Sequence, residues 1–126
     1  MRVDFEIRAL GEEEVDARTG ALSRRWEVLV PEKIRWVEGH FPGYPIVPGV
    51  AQLIPLAERS ARLSWPELGP VRGLRRLKFS APIRPGDRLE IELLRKPGSA
   101  SEPGKVSFTL SQGELRVSRG ALLFVD

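Results

Sequence analysis

Trp36-Val37-Glu38-Gly39-His40-Phe41-Pro42-Gly43-Tyr44-Pro45-Ile46-Val47-Pro48-Gly49-Val50-Ala51-Gln52-Leu53 is the stretch around which the chain is organised, and it holds the only histidine. Prolines at 42, 45 and 48 fix φ and bias the residue before each toward extended backbone, while glycines at 39, 43 and 49 permit close approaches. Such a loop has little freedom, which suits holding one imidazole in place. It runs directly into Val50, Leu53, Ile54, Ala57 and Ala61, which recur at helical spacing and predict a buried helix from Val50 to about Leu63. Leu56 widens its apolar surface, and Arg59 and Arg62 lie on another side. Pro55 cannot donate to the carbonyl of Ala51 and would kink a helix interior, but costs little if it falls in the first turn. Trp65-Pro66 and Gly69-Pro70 end the helix and turn the chain.

Outward from this unit the period changes to two. Val3, Phe5, Ile7 and Ala9 alternate with charged residues and predict a first strand; Leu22, Trp26, Val28 and Val30 mark one face of a second, ending at Pro31. The polar segment from Gly11 to Gly20 reads as a connection, with Glu12-Glu13-Glu14 a solvated turn. Beyond the helix, Leu77, Phe79 and Ala81 define a strand entering the Pro82 to Asp87 turn, and Leu89, Ile91 and Leu93 define the strand returning from it, which reads as a hairpin. Pro97 to Gly104 reads as a loop. Val106, Phe108 and Leu110 give a further strand, Gln112-Gly113 a turn, and Leu115 to Val125 a last strand. The order β-β-helix-β-β-β-β predicts an α+β domain, an antiparallel sheet wrapped around one long central helix.

At 126 residues the chain is long enough for one core, so residues 1–126 are expected to form a single domain. With no cysteine, neither a disulfide framework nor a thiolate nucleophile is available, and a single histidine argues against metal chemistry; no metal and no cofactor are expected. The sequence shows neither a secretory leader nor a membrane span, and a cytoplasmic setting is expected. The net charge of +3 suits an acidic protein partner as well as nucleic acid. Charges of both signs are interspersed, against the clustered basic face of a nucleic-acid reader, so no nucleic-acid partner is expected.

The motif Gly39-His40-Phe41-Pro42-Gly43, continued by Pro45-Ile46, Pro48-Gly49-Val50 and an apolar helix, resembles the hot-dog-fold 3-hydroxyacyl-acyl-carrier-protein dehydratases, most closely their divergent aryl-polyene-dehydratase branch. Lys78-Phe79-Ser80-Ala81-Pro82-Ile83-Arg84-Pro85-Gly86-Asp87 is similar to the family's second signature, in the family's order and spacing. A lone histidine beside apolar residues is by itself more often structural than catalytic; the surrounding motif reverses that. The resemblance implies a hot-dog fold and a substrate that is a 3-hydroxyacyl thioester on the phosphopantetheine arm of acyl carrier protein. It implies elimination of water across C2 and C3 with His40 as base, and backbone N–H groups around Gly49 and Val50 binding the thioester carbonyl. Helix N-termini offer unpaired donors to the charge that grows on that oxygen.

One catalytic position departs from the family. The helix acid, fourteen residues after the histidine, is Ile54 here, and isoleucine cannot donate a proton. Glu58, one helical turn on, is the nearest carboxylate and a candidate surrogate acid; the simpler reading pairs it with Arg62 at i+4 or with water. Phe41 and Ile54 would then contact the acyl chain, with His40 facing a narrow apolar tunnel. Arg72, Arg75, Arg76, Lys78 and Arg84 could meet the acidic carrier, although Arg76 and Lys78 would also find Glu90 and Glu92 across the expected hairpin. Three readings remain: a dehydratase, a hot-dog thioesterase, and a non-catalytic acyl-thioester binding subunit. The resemblance implies a homodimer or dimer of dimers, which would cover sheet edges and apolar residues such as Phe41 and Tyr44.

Overall fold

The computed structural model describes residues 6–30, 53–81, 83–84, 86–96 and 104–124. Six strands, β1 (Glu6–Val15), β2 (Leu22–Leu29), β3 (Val71–Phe79), β4 (Arg88–Lys96), β5 (Gly104–Gln112) and β6 (Leu115–Phe124), form one sheet in the order β1-β2-β4-β5-β6-β3. Every pairing is antiparallel. Between β2 and β3 lie a π-helical segment, α1 (Leu53–Glu58), and an α-helical one, α2 (Arg59–Ser64).

Alternation decides which face of the sheet is buried. Val28, Leu89, Ile91, Leu93, Val106, Phe108, Leu110, Leu122 and Phe124 form the core with Leu56, Ala57 and Ala61 of the helix and with Trp65 and Ile83. Burying each of the larger side chains stabilises the fold by about 1.5–3 kcal/mol. The small alanines let the helix backbone come close to the sheet. The central strands β4 and β5 contribute the cleanest alternation, buried residues taking turns with exposed or half-buried ones in β4 and with half-buried ones in β5.

Four expectations need correction. Helix length is the first: the described part comprises six π-helical and six α-helical residues rather than one long α-helix. Pro55 has no N–H for the α-helical ladder, and wider i→i+5 rings are one way in which a helix absorbs such a gap. The helix stops at Ser64 because Trp65 leaves helical φ/ψ, at φ −136° and ψ 83°.

The acidic run is the second. Glu12, Glu13 and Glu14 belong to β1, which continues to Val15; the turn is Asp16 to Gly20, where the Asp16 carboxylate accepts from the N–H of Arg18 at 2.8 Å. A bulge between Leu10 and Glu14 shifts the register, with Gly11 at φ 70° supplying a left-handed conformation that other residues resist. The bulge delivers Glu13 to the end of the helix, where its carboxylate accepts from the Trp65 indole N–H at 2.6 Å.

The third concerns β3 and β4, which do not form a hairpin. β3 pairs with β6 at the sheet edge, whereas β4 lies between β2 and β5. Their connection is held at both ends by different partners: the N–H groups of Ser80 and Ala81 donate to the Val117 carbonyl at 2.8 and 3.2 Å, and the Val30 N–H donates to the Asp87 carbonyl at 2.9 Å. It therefore crosses the end of the sheet. The expected pairing of Arg76 and Lys78 with Glu90 and Glu92 falls with the hairpin; Glu90 pairs instead with Arg25 at 3.7 Å.

Distribution of charge is the fourth. On the sheet face away from the helix, the carboxylates of the described strands, Glu27, Glu90 and Glu92 among them, lie on β1, β2 and β4, whereas β3, β5 and β6 carry Lys78, Lys105 and Arg119 and no carboxylate, a separation invisible in the linear sequence.

Near the helix exit, Arg95 donates to Glu67 at 2.5 Å and holds its carboxyl below the usual carboxylate range, chiefly through that side-chain hydrogen bond. A carboxyl with a lowered folded-state pKa contributes stability above its unfolded pKa and loses it as pH falls through the folded value. Glu67→Gln should therefore destabilise the protein near neutral pH and converge with the wild type in acid. Urea unfolding at about pH 7 and about pH 3 checks this; an equal difference at both would refute it.

Candidate functional site

The second motif fixes the point from which the first departs. Asp87 folds its own turn, its carboxylate accepting from the Arg84 N–H at 2.8 Å, and the Gly86 N–H donates to the Val30 carbonyl at 2.7 Å. Together with the Val30 to Asp87 bond this clamps the end of β2, six residues in sequence before the stretch that holds His40. His40, Phe41, Gly49 and Val50 lie outside the described residues, as does the tunnel expected beside His40. Ile54 falls in the first described turn of α1. Its side chain also lies outside the description.

Glu58 stands at the junction of α1 and α2. Its Oε1 accepts from Arg62 Nη2 at 3.2 Å, an i,i+4 ion pair whose side chains are 35% and 38% exposed. Arg62 is engaged further. It donates to the carbonyls of Leu68 at 3.1 Å and Gly69 at 3.2 Å, and its guanidinium lies 5.8 Å from the centroid of the Phe124 ring. The planar fork thus ties the helix to the turn after it and to β6, and Glu58 completes the fork. Proton donation by Glu58 would require this pairing to open or be shared.

The helix is seated firmly on the side away from Glu58. Ser60 is buried, and its hydroxyl donates to the Leu56 carbonyl. Ser64 donates to the Ser60 carbonyl at 2.8 Å and accepts from the Trp26 indole N–H at 2.9 Å. Two indoles, Trp26 from β2 and Trp65 beyond the helix, thereby hold its C-terminal end against β2 and β1.

Sequence reading missed Ser118. It is fully buried on the helix side of β6, opposite Leu110 and Phe79, and its Oγ has no partner among the described residues. A polar residue in phase with Gly120, Leu122 and Phe124 was the available signal. Buried hydroxyls are normally bonded, so this one marks a polar spot in the apolar wall facing the helix.

The chain matches the family model described as ApeI-like, ApeI dehydratase, over residues 16–121. It is 35% identical over 97 residues to the 3-hydroxyacyl-[acyl-carrier-protein] dehydratase FabZ of Natranaerobius thermophilus, covering 71% of this chain and 66% of that one. With FabZ of Myxococcus xanthus it shares 42% over 71 residues, 48% of this chain and 46% of that one. The chain spans about half the length of the Myxococcus relative. Among solved structures, the dehydratase heterocomplex ApeI:P from Xenorhabdus doucetiae superposes with a TM-score of 0.70 at 20% identity, covering 96% of this chain and 99% of that one. The likeness establishes the hot-dog fold.

Proposed function

Since the chain belongs to the ApeI-like dehydratase family, we propose that it eliminates water across C2 and C3 of 3-hydroxyacyl thioesters presented by acyl carrier protein, in fatty-acid or polyene-type lipid synthesis in the cytoplasm. The observation that carries this reading is the family match over residues 16–121, which spans both the histidine loop and the helix. In the proposed reaction His40 takes the proton from C2. The N–H groups at Gly49 and Val50 hold the thioester oxygen as it gains charge, and the C3 hydroxyl leaves as water with a proton from an acid. Phe41 and Ile54 line the acyl path. Glu58 is the candidate acid, donating as the protonated carboxyl once its pairing with Arg62 opens.

A second reading has support of its own. With Ile54 at the helix-acid position and Glu58 engaged by Arg62, the protein would bind acyl thioesters without turning them over, beside a homologue that supplies the acid. Incubation of the pure protein with 3-hydroxyacyl and with saturated acyl carrier thioesters separates the readings. Enoyl product is expected; free acid from both series would indicate a thioesterase, and binding without product the non-catalytic subunit.

The protein is proposed to assemble at least as a homodimer. Edge strand β3 leaves Leu74, Leu77 and Phe79 between 39% and 47% exposed, apolar surface that a second copy would cover. Sedimentation should show a dimer at micromolar concentration, and a stable monomer would refute the assembly.

A further inference from the structure

On the sheet face away from the helix, β3, β5 and β6 enclose an open groove of about 530 Å³ lined by Arg76, Lys78, Lys105 and Arg119 together with Ser107 and Thr109, with Leu77, Phe108, Gly120 and Ala121 completing its wall. The register assembles it: Thr109 lies opposite Arg119, and Arg119 opposite Lys78, all out of phase with the buried Val106, Phe108 and Leu110. No carboxylate lines the groove, and none of its four cations has an ion pair among the described residues. The other half of the same face carries carboxylates, and Arg8 and Arg25 there are paired with Glu27 and Glu90.

Arg76 makes this more than a basic surface. Arg75 lies opposite Ala121 on the groove side, so regular alternation would turn Arg76 toward the helix. A bulge between Arg75 and Lys78 adds a residue to β3, and Arg76 takes φ 53°, the only positive φ outside glycine among the described residues. Left-handed backbone is unfavourable for a side chain with a Cβ, and crowding like charges is unfavourable again. Sparsely populated backbone conformations of this kind cluster at ligand and active sites.

We propose that this groove binds a phosphate-bearing anion. A guanidinium fork and neighbouring ammonium groups match phosphate oxygens, the hydroxyls of Ser107 and Thr109 add neutral donors, and the bound charge offsets the repulsion among the cations. The sheet separates the groove from the helix, so the inference does not depend on the acyl-thioester reading.

Isothermal titration of the full chain with inorganic phosphate and with adenosine 3′,5′-bisphosphate, against chloride at matched ionic strength, tests it. Saturable binding is expected for both phosphates and none for chloride. Arg76→Gly should weaken binding about tenfold, the loss of one charge-assisted contact, while the melting temperature holds or rises because glycine takes the left-handed conformation freely. Arg119→Gln should weaken binding as well, and Arg8→Gln, on the acidic half, should not. Retention on phosphatidylglycerol vesicles that Arg76→Gly abolishes would identify the phosphate as a lipid headgroup; its absence alongside binding of the bisphosphate identifies a soluble ligand. The proposal is overturned if phosphate behaves as chloride does, if Arg76→Gly and Arg119→Gln bind as tightly as the wild type, or if Arg8→Gln weakens binding to the same extent.

Discussion

Ile54→Glu is expected to raise the rate of dehydration by on the order of 10²–10⁴, the contribution of a positioned general acid. The substitution puts a carboxyl at the helix position where the resembled family keeps one, one turn before Glu58. If Glu58 already serves as the acid, Ile54→Glu changes little and Glu58→Gln carries the loss instead. Arg62→Gln then becomes informative, because it frees the Glu58 carboxylate from the fork that also grips the carbonyls of Leu68 and Gly69. The three variants, compared in single-turnover assays on one 3-hydroxyacyl carrier thioester, assign the acid. His40→Ala is the control for the whole scheme: a dehydration rate unaltered by it would end the catalytic reading, since the chain contains no second imidazole and no thiol.

Phe108→Ala should lower the unfolding free energy by about 3–5 kcal/mol, the usual cost of emptying a buried aromatic site. Phe108 is 3% exposed at the centre of the sheet, and its ring packs over Gly120 on β6. A Cβ at Gly120 would lie 3.0 and 3.1 Å from that ring and 2.5 Å from Cδ2 of Leu77. Leu77 is half-exposed and can swing aside; the ring cannot. Gly120→Ala should therefore cost about 1–3 kcal/mol in the wild type and less in the Phe108→Ala background. Urea unfolding of the four proteins in this cycle reads the coupling, and additivity would show that ring and glycine do not share the space.

How much of this could be read from the residues varied with the range of the interaction. β2, β4, β5 and β6 were legible because Trp26 and Val28, Leu89 to Leu93, Val106 to Leu110, and Leu122 and Phe124 each keep a period of two against a buried face. The helix was legible from Leu56, Ala57 and Ala61. Its π-helical part was not, because hydrophobic spacing does not report which carbonyl an N–H chooses. β1 was cut short in the reading because three consecutive glutamates carry no alternation and a bulge then shifts the phase. The neighbour of β3 was misassigned because a Pro- and Gly-rich turn signals reversal of the chain without saying which strand receives it; Val117 and Val30, distant in sequence, make that choice. The family motif was plain, and so was the departure at Ile54. The cationic groove was hidden, since Lys78, Lys105 and Arg119 meet only across strands and Arg76 joins them only through a bulge.

The two indoles at the helix exit also give the molecule an optical reporter. Trp65 is 3% exposed and donates to Glu13, while Trp26 donates to Ser64, so two of the three tryptophans sit where the helix meets β1 and β2. Separation of that end from the sheet would wet both rings at once and shift their emission to the red. In a Trp36→Phe background, which removes the third indole from the stretch that holds His40, a substrate or partner that leaves the joint closed would leave the spectrum in place. Fluorescence therefore distinguishes loosening of the helix exit from events confined to the other end of the helix, without any label being attached.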